Sequence, residues 1–149
     1  MPGESRDGDR PVGGRRDRLA EGRRDPSVGG RADSTAKGRA GEAIAAFILE
    51  SEGWTILERN YRGPRGEIDI IAAKADSIVF FEVKNWSVFD AGELATAISA
   101  RKAKRIVETS KIFLSRNREY SDARLRYDVL LIKEGRIVRR IESAFTGET

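Results

Sequence analysis

Neither histidine nor cysteine occurs in the 149 residues. Their absence excludes a Cys/His zinc cluster, a Ser-His-Asp triad, a thiol nucleophile and any imidazole acid or base. Disulfides are excluded as well, so the chain neither needs nor exploits an oxidising compartment. No apolar run approaches the roughly 18 residues of a membrane span, and no apolar h-region of a secretory signal stands near the N-terminus. The expectation is a soluble, cytoplasmic domain with no membrane partner. Its chemistry must come from carboxylates, Lys, Arg, hydroxyls or a bound metal. Charge is plentiful: 28 Lys+Arg against 24 Asp+Glu, a formal net charge of +4. That balance leaves nucleic acid open as a partner.

Residues 1–36 hold 8 Arg, 7 acids, 7 of the 15 Gly and 3 of the 4 Pro, with no aromatic residue. Such a segment buries too little apolar area to offset its ordering entropy. Residues 1–33 therefore read as a disordered Gly/Arg-rich tail, and 34–149 as one folded domain. A weak repeat, Gly14-Arg15-Arg16-Asp17 and Gly22-Arg23-Arg24-Asp25, suits an arm that tracks phosphates. It suits better a solvated extension, because its acids nearly cancel its Arg.

Within the domain, Asp33, Ser34 or Thr35 can cap a helix that carries Glu42, Ile44, Phe47 and Ile48 and stops at Gly53. Trp54 to Tyr61 reads as a strand, and Arg62-Gly63-Pro64-Arg65-Gly66 forces a turn. Glu67 to Ala73 and Ile78 to Lys84 are apolar, β-branched runs joined by Lys74 to Ser77, which makes a hairpin. After a loop, Asn85 to Gly92, residues Ala103, Ile106, Val107, Ser110, Phe113 and Leu114 form one stripe of a second helix. Leu125 to Lys133 and Arg136 to Glu142 are strands that turn at Glu134-Gly135. The order is αβββαββ, a single α/β domain.

If Lys74 to Ser77 is the connection, Ile71 faces Phe80, Asp69 faces Glu82 and Glu67 faces Lys84. Alternation then projects Glu67, Asp69, Glu82 and Lys84 from one face. The other face carries Ile68, Ile70, Val79, Phe81 and Val83 as a core stripe. Opposed carboxylates with Cβ atoms about 5 Å apart repel by roughly 3 kcal/mol at an effective dielectric near 20. A cation or a held proton relieves that repulsion, and oxygen-only ligands point to a hard ion, Mg²⁺ or Mn²⁺. A solvated, salt-bridged strand face is the plainer alternative. Glu82-Val83-Lys84 is nevertheless the only acid-x-Lys in the chain, and it lies in an apolar stretch.

Gly66-Glu67-Ile68-Asp69-Ile70-Ile71-Ala72 followed by Val79-Phe80-Phe81-Glu82-Val83-Lys84 resembles the PD-(D/E)xK nuclease superfamily. Within it, the chain resembles the YraN family of Holliday-junction-resolvase-like proteins. Further matches are Gly38-x-x-Gly41-Glu42-x-x-Ala45, Ile56 to Arg62, Lys102-x-x-Arg105-Ile106, Arg126-Tyr127-Asp128-Val129 and Ala144-Phe145. They span roughly residues 35–146 and leave out the tail. One departure stands out: Trp86 occupies a position where the family carries a basic residue. Trp86 can stack on a base or seal the core.

The resemblance implies a restriction-endonuclease-like fold, a central mixed sheet flanked by helices. It implies an Mg²⁺- or Mn²⁺-dependent endonuclease acting on DNA, branched DNA included. Asp69 and Glu82 would hold the metal, with Glu42 completing the site; Glu67 would be a further ligand or the partner of Lys84. Lys84 would orient the attacking water or stabilise transition-state charge. Arg59, Tyr61, Arg62 and Arg65, with Lys102 and Arg105, are the expected nucleic-acid contacts. Lys102 borders the apolar stripe and can lean toward the site. Arg126 and Asp128 share a strand face, as an ion pair or as catalytic groups. Junction cutting needs two sites, which implies a homodimer. The alternatives are a nucleic-acid-binding module of the same fold without turnover, and a structural domain whose acids merely pair with Lys84.

Overall fold

A computed structural model describes residues 26–85 and 98–147 of the chain. Among the described residues the elements run α1 (Pro26–Ser51), β1 (Thr55–Gly63), β2 (Gly66–Lys74), β3 (Ser77–Asn85), α2 (Ala100–Arg116), β4 (Arg124–Lys133) and β5 (Arg136–Phe145). The expected order is thus observed. Helix α1 begins at Pro26, ahead of the expected caps and inside the segment read as tail. Proline suits a first helical position, where its missing N–H is no loss, and a helix nucleated downstream extends at one bond per residue. Residues 1–25, with the repeat, lie outside the described residues, as do Trp86 and the loop around it.

Helix α1 ends as its sequence requires. Gly53 takes φ 94°, and the Trp54 N–H closes on the Leu49 carbonyl at 3.0 Å. Ser99 caps α2 by accepting the Lys102 N–H. The β4–β5 hairpin turns through Glu134 and Gly135 at φ 50° and 75°, both positive, as a two-residue hairpin favours.

The five strands form one mixed sheet in the order β1-β2-β3-β4-β5, antiparallel throughout except for β3 and β4, which run parallel. A parallel pair needs a crossover, and α2 lies within it. The two helices cover opposite faces. Ala45, Ala46 and Leu49 of α1 pack on Ile70, Ala72, Val79, Phe81, Leu130 and Ile132. On the other face Ile106, Val107 and Phe113 of α2 pack on Ile71, Ile78, Phe80 and Tyr127. The helical stripe of α2 is buried as expected, and Lys104 and Lys111 face solvent. No helix among the described residues is long and apolar enough to cross a membrane.

The β2–β3 register is the one derived from the hairpin connection, from Lys74↔Ser77 up to Ile70↔Phe81. There the ladder ends. Strand β2 continues paired only to β1, through Tyr61↔Ile68 to Gly63↔Gly66. Asn60, between these stretches, takes φ 51°. Released from β3, the two-stranded ribbon twists more strongly, and Ile68 packs with Tyr61 on the α2 face while Ile70 stays on the α1 face. The expected five-residue stripe is corrected here: Ile68 leaves it.

Candidate functional site

Asp69 sits where β2 parts from β3, 6% exposed. Its Oδ2 accepts the Val83 N–H at 2.8 Å, so a side chain replaces the missing ladder bond. Glu82, 5% exposed, follows on β3. Two ammonium groups reach its Oε1: Lys84 Nζ at 3.4 Å, and Lys102 Nζ from the first turn of α2, which donates a hydrogen bond. Helix α1 supplies the third carboxylate. Gly41 lets the helix approach the end of β3, because a Cβ there would lie 3.2 Å from Asn85 Oδ1. That approach brings in Glu42, whose Oε2 is buried with no hydrogen-bond partner among the described residues.

The electrostatics follow from this crowding. Burial, and after it the charge of Glu82, pushes the Asp69 carboxyl up to about 8; the Val83 N–H opposes the rise and Glu42 adds to it. Burial, with Lys102 beside it, lowers the Lys84 ammonium. Burial would lower Lys102 as well, but the charge and hydrogen bond of Glu82 outweigh it and raise the group. Among the described residues no three acidic side chains converge on one point. What the structure presents is Asp69 and Glu82 in contact range, with an unpartnered oxygen of Glu42 whose charge reaches Asp69. An all-carboxylate donor set of this kind fits a hard divalent cation, and a buried orphan oxygen is a group in want of one.

The remaining expected residues divide. Glu67 is corrected: it stands opposite Arg62 in the β1–β2 register, pairs with that guanidinium at 3.3 Å and is exposed, away from Lys84. The premature end of the β2–β3 ladder is the reason. Tyr61, half-buried, packs edge-on against Phe113, ring centroids 5.4 Å apart, with its hydroxyl buried and unpartnered among the described residues; its ring packs against the core on the α2 side. Arg62, Arg65 and Arg105 meet in an open cleft of about 770 Å³, with Glu67 and Glu108 on its walls. Gly66 makes that meeting possible, since a Cβ there would come within 3.3 Å of Arg105 Cβ. Arg59 is exposed on β1 and is not among the residues of this cleft. Lys102 and Arg105 line an adjoining cleft with Arg101 and Ser99.

Arg126 and Asp128 form a two-pronged ion pair, Nε–Oδ1 2.9 Å and Nη2–Oδ2 2.7 Å, and Asp128 Oδ1 also accepts the Ser143 N–H. The Ser143 bond ties β4 to β5. Two features escaped the sequence: the Val83 N–H as the partner of Asp69, and the bond between Lys102 and Glu82. The only signal for the second was Lys102's place beside the apolar stripe.

Comparison with known proteins gives a consistent result. The family model described as "Uncharacterised protein family UPF0102" matches residues 41–132. A UPF0102 protein of Treponema pallidum subsp. pallidum is 46% identical over 93 residues, 62% of this chain and 74% of its own length. One from Bradyrhizobium sp. is 36% identical over 108 residues, covering 72% of this chain and 78% of its own. A third, from Desulforapulum autotrophicum, is 41% identical over 101 residues, covering 68% and 83%. With Gly41, Glu42, Asp69, Glu82, Lys84 and Lys102 all inside the matched span, the chain belongs to the UPF0102 family, the YraN family of nuclease-like proteins.

Proposed function

We propose that this protein is an Mg²⁺- or Mn²⁺-dependent nuclease that hydrolyses DNA phosphodiester bonds, with branched DNA among its substrates, on a restriction-endonuclease-like fold. The observation that carries this reading is the Glu42 Oε2 atom, buried and unpartnered among the described residues, beside an Asp69 whose carboxyl is pushed up to about 8. A structural domain has no reason to keep two such groups in one place.

Asp69, Glu82 and Glu42 would hold the cation, which when bound supplies Lewis acidity toward the scissile phosphate and lowers the pKa of an attacking water. Val83 orients Asp69 through its N–H. Lys84, two residues beyond Glu82 on the same face and partly buried, would donate a hydrogen bond to the water or to a non-bridging phosphate oxygen. Arg62, Arg65 and Arg105 supply positive charge for the backbone of the substrate. A cytoplasmic location and a homodimer, which would bring two sites to one junction, belong to the same reading.

One observation favours the runner-up, a nucleic-acid-binding module without turnover: Glu82 is already engaged by Lys84 and Lys102. The deciding experiment incubates the protein with duplex, single-stranded and four-way-junction DNA in Mg²⁺ or Mn²⁺, with EDTA as control. Cleavage by wild type, abolished in Asp69→Ala and Glu82→Ala while DNA binding persists, is the expected result. Binding without cleavage, identical in wild type and Asp69→Ala, would establish the module.

A further inference from the structure

Lys102 Nζ lies where an ion bound to Glu82 would compete with it. Its ammonium donates to Glu82 Oε1, the oxygen that Lys84 also contacts. Its side chain is the more exposed partner, 41% against 6% for Glu82. It is therefore the partner free to move. It also lines the cleft that holds Arg101 and Arg105. Glu82 and Glu42 thus differ: one carboxylate has a counter-ion from α2, while Oε2 of the other meets no hydrogen-bond partner among the described residues.

We propose that Lys102 is an internal counter-ion that occupies the carboxylate site in the metal-free protein and is displaced when a divalent cation binds. This rests on the metal reading above and adds a regulation to it. The bond to Lys102 engages Glu82 from the α2 side. Displacement returns the ammonium to the cleft of Arg101 and Arg105, where it adds positive charge to the surface that a polyanion would meet. Lys102 is a positioning residue: it weakens metal binding in the absence of an anionic partner and links the two events. A charge-assisted hydrogen bond of the usual strength makes that weakening roughly tenfold.

The test is direct titration of the full-length protein with Mn²⁺, free Mn²⁺ being read by electron paramagnetic resonance without DNA. Lys102→Met is expected to bind Mn²⁺ about tenfold more tightly than wild type. Lys104→Met, which removes an equal charge from the exposed side of the same helix, is expected to match wild type. Equal affinities in wild type and Lys102→Met would overturn the counter-ion and leave the metal site standing. Equal tightening in both lysine variants would reduce the effect to overall charge and overturn it as well. If neither wild type nor Lys102→Met binds Mn²⁺, the metal reading itself fails and takes the proposal with it. Should Lys102→Met not unfold cooperatively, Lys102→Gln serves in its place with the same expected direction.

Discussion

The side chain of Asp69 accepts the backbone N–H of Val83 at 2.8 Å, just past the last pair of the β2–β3 ladder. A carboxylate thus stands where a strand carbonyl would, and the neighbouring backbone is satisfied without the ladder. The splayed end of the hairpin holds Asp69 and Glu82, and the charge of Glu42 reaches Asp69 there. A continuous ladder would have left Glu67 opposite Lys84 and closed that space.

The metal-free protein should lose stability as pH rises. Asp69, buried and within reach of the charges of Glu82 of β3, Glu42 of α1 and Lys102 of α2, is raised from 3.8 to about 8. The folded state therefore binds its proton more tightly than the unfolded chain. The stabilisation is complete below the unfolded pKa and is lost as pH climbs to about 8. Urea midpoints in EDTA should fall between pH 5 and pH 9, and Asp69→Asn should flatten that fall. An unchanged slope in the variant would refute the assignment.

Divalent cation should raise the melting temperature of wild type at constant ionic strength. A millimolar site at tenfold excess of Mg²⁺ or Mn²⁺ stabilises by about 1.4 kcal/mol, several degrees in a domain this small. Asp69→Asn should show no shift. Glu42→Gln should lose much of it at little cost to metal-free stability, because Oε2 has no protein partner to lose.

Arg65→Ala and Arg105→Ala should each weaken DNA binding and reduce the salt slope by about one. Lys111→Ala should change neither, and filter binding across a salt series distinguishes them. Tyr61→Phe should also leave DNA affinity alone. Because its hydroxyl is buried and unpartnered, its removal should be neutral or stabilising by about 1 kcal/mol in denaturant unfolding.

Asp128→Ala should destabilise the fold by about 2–3 kcal/mol, because it strands Arg126 and frees the Ser143 N–H. The melting shift in Mg²⁺ should survive in that variant. Loss of the shift in a folded Asp128→Ala protein would instead make Asp128 part of the metal site.

The sequence by itself determined what depends on neighbours along the chain. Element order, the stop at Gly53, the buried stripe of α2 and the β2–β3 register from Lys74↔Ser77 to Ile70↔Phe81 are set by periodicity, turn residues and connection length. Strand alternation put Asp69 and Glu82 on one face, and only the family resemblance added Glu42 to them as a proposed ligand. Only the tertiary structure decided where the register stops. Strand alternation assumes a continuous ladder, and the ribbon of β1 and β2 twists away once β3 no longer restrains it. That one departure moved Ile68 across the sheet and gave Glu67 to Arg62. The helical start at Pro26 and the bond from Lys102 to Glu82 were equally out of reach. The first depends on propagation from a packed helix, and the second on how α2 docks across the sheet; no short pattern of residues encodes either.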